Sequence, residues 1–101
     1  MKLVMIMSVS EHAGKLNDLL VRHGISAFSE MEMKGVKTGV AVDEQENWFG
    51  HDRFEALSNL IFTAVDDAKA AELMRALKEF SDRHAAQNPI HALQLDVEHA
   101  V

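Results

Sequence analysis

Leu3–Val9 (LVMIMSV) is an almost unbroken apolar run. Its length and polar flanks predict a strand covered on both faces. Ser10 follows at a helix N-cap position, with acidic Glu11 in the first turn. Ala13, Leu16, Leu19, Leu20 and His23 then recur at helical spacing, and Gly24 supplies a C-terminal stop. From Ile25 the period changes to two. Ile25, Ala27, Ser29, Met31 and Met33 share one side of a predicted strand, and Ser26, Phe28, Glu30, Glu32 and Lys34 share a wet side.

Gly35, Gly39 and Gly50 break the next stretch, which reads as a loop over about residues 36–55. Leu57–Val65 (LSNLIFTAV) is a second mostly apolar run, again a strand with both faces covered. Asp66 or Asp67 can cap the helix after it, whose buried stripe is Ala70, Leu73, Leu77 and Phe80, with Ala71 and Met74 alongside. Asn88-Pro89 ends that segment. In the last strand His91, Leu93, Leu95 and Val97 alternate with Ala92, Gln94, Asp96 and Glu98.

The order strand, helix, strand, strand, helix, strand predicts an α+β ferredoxin-like βαββαβ sandwich with a four-stranded antiparallel sheet. In that arrangement the first and third strands are central and the second and fourth are edges. The two continuous apolar runs fall on the central positions and the two alternating segments on the edges. Helices cover one face of such a sheet, so the other face of the central strands must also be hidden. An exposed apolar sheet face is an association site, which predicts a homo-oligomer with sheets packed together and helices outside.

With 101 residues, 48% of them hydrophobic, the chain suits a single domain over 1–101 with its own core. The formal charge of −6 argues against nucleic acid, whose binding depends on neutralising phosphates, and against anionic lipid surfaces. There are no cysteines, which excludes disulfides, zinc–thiolate sites and thiol nucleophiles and suits a cytoplasmic protein. No apolar run is long enough to cross a membrane as a helix.

Several groups of residues carry candidate chemistry. Lys34, Gly35, Lys37, Thr38 and Gly39, with Glu32 beside them, form a candidate ligand site. Two lysines and a hydroxyl can hold an anion, and the glycines allow close backbone approach. GVKTG lacks the Gly-to-Gly spacing of a P-loop. The alternative is a solvated strand end and a turn. Trp48, Phe49 and Phe54 suit a partner-binding loop, or else fold back onto the protein. His51 and Asp52, near Asp43, Glu44 and Glu46, are a weak metal candidate without a diagnostic spacing. His91, on the apolar side of its strand, is expected to be packed. Ser8, Ser10, Ser26 and Ser29 have no evident base. Glu30 and Glu32, roughly 7 Å apart on one strand side, are a solvated pair before they are an acid–base pair. No enzyme activity is expected.

The opening KLVMIMSVSEHAGKLNDLLVRHGI, EMKG at Glu32–Gly35, NLIFTAVDDAKAAELMRALKEF and the closing IHALQLDVE together resemble the PII-like branch of the nitrogen-regulatory PII superfamily over nearly the whole chain. The resemblance implies a homotrimer of ferredoxin-like subunits. It also implies a T-loop between the second and third strands that signals to a partner, often a membrane transporter or an enzyme. Small-ligand sites are implied in the inter-subunit clefts at the base of that loop. PII proteins proper bind ATP or ADP through a glycine- and lysine-rich stretch before the last strand. Here that position reads HAAQNPI, from His84 to Ile90, without glycine or lysine and with Pro89 removing one N–H. The basic C-terminal segment is absent too, and there is no tyrosine to uridylylate. ATP binding of the PII kind is therefore not expected, and the ligand stays open between another nucleotide, bicarbonate and a metal ion. Two other readings stay open: a divalent metal-ion binding or tolerance protein of CutA-like type, and a dimeric ferredoxin-like enzyme.

Overall fold

The computed structural model describes residues 1–36 and 55–101, with side chains described from 58 onward in the second stretch. The order is β1 (Lys2–Val9), a 3-10 turn (Ser10–His12), α1 (Ala13–Arg22), β2 (Ser29–Val36), β3 (Glu55–Val65), α2 (Asp67–His84) and β4 (His91–Asp96). The strands form one sheet in the order β2-β3-β1-β4. Every neighbouring pair is antiparallel, with Ile6 opposite Ile61 and Ala92, and Met31 opposite Leu60. This is the expected α+β ferredoxin-like arrangement, with the apolar runs central and the alternating segments at the edges.

Both helices lie on one face. Val4 and Ile6 of β1 and Ile61 of β3 are fully buried beneath Leu16 and Leu20 of α1 and Ala70 and Leu73 of α2. Burying each of the Val, Ile and Leu side chains stabilises the fold by about 1.5–3 kcal/mol relative to leaving it in water. Contacts at both ends set the helices antiparallel. His23 after α1 meets Glu72 early in α2, and His12 before α1 meets Phe80 late in α2.

The helix ends follow local chemistry. Gly24 has φ 77°, a left-handed conformation open to glycine. Its N–H donates to Val21 O at 3.0 Å and the Ile25 N–H to Leu20 O at 3.0 Å, the paired bonds of a Schellman cap. Ile25 is buried with Leu20, completing the apolar contact of that cap. At α2, Asp66 is the N-cap residue, and its carboxylate accepts from the Lys69 N–H at 2.7 Å.

Three expectations need correction. Ser10 does not cap α1: a 3-10 turn intervenes, and His12, at the cap position, makes no side-chain cap bond. The second strand begins at Ser29, not Ile25, because Ile25 is committed to the helix cap and Phe28 packs against the core. Ala71, expected beside the buried stripe of α2, is exposed.

The alternation in β2 and β4 takes an unexpected direction. Register with the central strands places Met31, Met33, Leu93 and Leu95 on the helix-free face, with Leu3, Met5 and Met7 of β1 and Leu60 and Phe62 of β3. Glu30 and Glu32 lie on the helix side, and both are exposed. The helix-free face is therefore apolar across all four strands, with Met31 48%, Leu93 41% and Leu95 45% exposed. Four of the six methionines stand on it, and their flexible thioethers suit a surface that must adapt to a partner.

Candidate ligand site where β2 ends and β3 begins

β2 ends where β3 begins: Lys34 is opposite Leu57, Gly35 opposite Ala56 and Val36 opposite Glu55. Val9 is opposite Ser58, and His91 opposite Met7, so the end of β1 and the start of β4 lie at the same end of the sheet. Of the candidate ligand residues, Glu32 and Lys34 fall on one side of β2, both exposed, and Gly35 on the other, buried. Lys37, Thr38 and Gly39 lie outside the described residues, as do Trp48, Phe49, Phe54 and the metal candidate His51 with Asp43, Glu44, Glu46 and Asp52. His91 is half-buried on the apolar helix-free face, a packed position as its alternation indicates.

A polar network supports this end from below. Asn59 Nδ2 donates to Glu30 Oε1 at 2.6 Å, and Asn17 Nδ2 donates to Glu30 Oε2 at 3.3 Å. One carboxylate thus joins α1, β2 and β3. Farther along β3 the Thr63 hydroxyl donates to Ala27 O at 2.8 Å, fastening the approach to β2. Asn59, Thr63 and Ser58 are each at most 5% exposed. Polar groups so buried need partners, and these bonds supply them for Asn59 and Thr63. The sequence contained the signal: three polar residues interrupt LSNLIFTAV, a strand otherwise fit for a dry interior. The identity of the partners required the tertiary register.

The segment before β4 is held by packing. Ala85 and Ile90 are buried, the Ile90 N–H donates to Ser81 Oγ at 3.3 Å, and the Ala85 N–H donates to Ser81 O at 3.1 Å. Two apolar anchors therefore stand where a phosphate cradle would require open N–H groups and positive charge.

Further ion pairs occur at the opposite end. Lys2 Nζ bonds to Asp96 Oδ1, which raises the lysine pKa and lowers that of Asp96. The N-terminal amine lies 3.3 Å from Asp67 Oδ1, and the Val97 N–H donates to Met1 O at 3.2 Å. Glu72, also at this end, has its pKa lowered by the hydrogen bond from His23 and then by Lys69. These contacts clamp the sheet remote from the end of β2. Among the described residues no group of three His, Asp or Glu side chains is placed to hold a metal ion, and no helix is long and apolar enough to cross a membrane.

No protein-family model and no curated protein sequence matches the chain. Solved structures do. CPII, a nitrogen regulatory PII-like protein from Thiomonas intermedia K12, bound to ADP, AMP and bicarbonate, superposes with a TM-score of 0.62 at 17% identity, covering 99% of this chain and 94% of CPII. The same protein bound to ADP, AMP and acetate gives 0.61 at 17% identity, covering 97% and 88%. A protein from Thermus thermophilus described as PII-like and signalling gives 0.62 at 19% identity, covering 95% and 85%. Agreement over nearly the whole length, at an identity this low, establishes architecture: the chain has the fold of the PII-like proteins.

Proposed function

We propose that the protein is a PII-like regulator rather than a catalyst. It assembles as a homotrimer through its helix-free sheet face, senses a small ligand at the inter-subunit clefts beside the end of β2, and controls a partner through the segment between β2 and β3. The observation that carries this reading is the apolar face spanning all four strands, with Met31, Leu93 and Leu95 exposed in the single protomer. Such a face is unstable in water and is satisfied by sister sheets. In such an assembly the end of β2 would lie near a seam between subunits, with Gly35 on the packed side and Glu32 and Lys34 on the helix side. The ligands of CPII make an adenine nucleotide or bicarbonate the class to test first, with Lys34 and the adjoining Lys37 and Thr38 as anion-binding groups. Trp48, Phe49 and Phe54 would give the partner, a membrane transporter, its apolar footing, and the protein would act in the cytoplasm.

Native mass spectrometry of the freshly purified protein reads assembly and retained ligand together. A trimer that takes up AMP, ADP or bicarbonate, with uptake reduced by Lys34→Ala, is the expected result. A monomer or dimer would refute the assembly, and a trimer indifferent to all three ligands would refute the ligand class. Deleting residues 40–52 should leave the trimer folded and abolish partner binding. Partner binding that survives the deletion would refute the signalling role of the segment.

A further inference from the structure

A groove of about 250 Å³ runs between α1 and α2 on the outer surface of the helix layer. Leu19 and Phe80, 4% and 6% exposed, form part of its floor, and the ring of His84 stands 5.2 Å from that of Phe80. Arg22 of α1 and Arg83 of α2 line it, and an adjoining hollow shares Arg22, Phe80 and His84 and adds Lys15. The two hollows thus gather three permanent cations against two carboxylates, Asp18 and Glu79, in a chain whose formal net charge is −6.

Ion pairing is uneven among the described cations. Lys2, Lys69 and Lys78 each sit on a carboxylate, whereas Arg75 forms no ion pair. Arg22 and Lys15 form no ion pair among the described residues, although Asp18 is one helical turn from each. Arg83 meets Glu79 at 2.9 Å, but both side chains are largely exposed, and a pair of that kind is readily exchanged for a better anion. Guanidinium groups present their N–H donors in a fork that matches phosphate oxygens. The apolar, partly aromatic floor suits a flat organic group.

We propose that the α1–α2 groove binds a small aryl phosphate monoester, with its phosphoryl oxygens held by Arg22 and Arg83 and its ring over Phe80 and His84. The site lies on the side of the sheet opposite the apolar face, so burying that face in an assembly leaves it open. It is separate from the candidate ligand site at the end of β2.

Amide NMR titration of the full chain with phenyl phosphate tests the proposal. Saturable shifts are expected at Leu19–Arg22 and Phe80–His84. Arg22→Gln, a change on an exposed rim, should weaken binding about tenfold or more, since a charge-assisted bond is lost. Lys78→Gln should leave binding unchanged. Equal affinity in Arg22→Gln, or shifts confined to other parts of the chain, would overturn the site. Equal affinity for benzoate would overturn the choice of a phosphate.

Discussion

His23 Nδ1 lies 2.7 Å from Glu72 Oε2, joining the end of α1 to the second turn of α2. A carboxylate only accepts, so the imidazole proton sits on Nδ1. Lys69 closes the arrangement, donating to His23 O at 2.9 Å and lying 3.3 Å from Glu72 Oε1. Backbone and side chain of the same cap residue are thereby held by two neighbouring side chains of α2.

This arrangement sets a pH dependence. Glu72 has its pKa lowered in the folded protein from the ordinary value of 4.5, first by His23 and then by Lys69. A depressed folded pKa contributes stability above the unfolded value and loses it as pH falls through the folded one. The wild type should therefore be more stable than Glu72→Gln at neutral pH, with the gap closing below pH 4.5. Thermal melts of both proteins over a series of pH values check this. A gap that is constant with pH would show that the carboxylate charge is not what stabilises.

Gly24 permits a cleaner test of backbone conformation. An added Cβ would meet nothing closer than Lys69 Nζ at 3.8 Å, so the cost of Gly24→Ala is conformational, about 1–2 kcal/mol for a left-handed residue. Gly24→Asn should cost less. Urea denaturation of the three proteins should give that order.

In the core, Ile61 is fully buried on β3. Ile61→Ala should lower the unfolding free energy by roughly 2–5 kcal/mol, through lost burial and the cavity left behind. Val21→Ala, at a site 65% exposed, should change it by less than about 0.5 kcal/mol. Chemical denaturation separates the two directly.

Asn59 tests the network below the end of β2. Asn59→Ala removes the donor at 2.6 Å from Glu30 and leaves a cavity beside that carboxylate, an expected loss of about 1–3 kcal/mol. Glu30→Gln, which keeps an acceptor oxygen, should cost less by the same measurement.

On the helix-free face, Leu93→Glu and Leu95→Glu introduce charge where a lone protomer is already 41% and 45% exposed. The protomer should keep its circular dichroism spectrum while light scattering reports a smaller assembly. An unchanged mass would show that this part of the face lies outside any interface.

Much of the fold was legible because its signals are local or compositional. The mostly apolar runs at Leu3–Val9 and Leu57–Val65 specified central strands, Asp66 was one of two candidate cap residues, and Gly24 stood where a left-handed residue was needed. The errors arose where tertiary contacts outweighed local pattern. Ile25 and Phe28 fit the alternation of β2, yet one belongs to the cap of α1 and the other to the core, so the strand starts at Ser29. Ser10 is a good cap residue, but the chain tightens into a 3-10 turn before α1 begins. Alternation showed that Met31 shares a side with Met33 without showing which side the helices occupy. At the candidate site, Lys34 and Gly35 were singled out for their charge and backbone freedom near the predicted strand end, with Glu32 beside them. Glu30, Asn17 and Asn59 meet across three elements, and no spacing in the sequence brings them together.

The sheet order also bears on how the chain is made. β1 leaves the ribosome before any other strand, yet its two neighbours are β3 and β4, with Lys2 opposite both Val65 and Asp96. Its apolar run must wait for synthesis through Val65 before one hydrogen-bonded edge can be filled, and through Asp96 before the other can. Pairings so distant along the chain form slowly, and waiting apolar segments tend to associate with the wrong partner. Nascent chains halted before β4 should therefore engage holding chaperones through Leu3–Val9, and release should coincide with emergence of His91–Asp96.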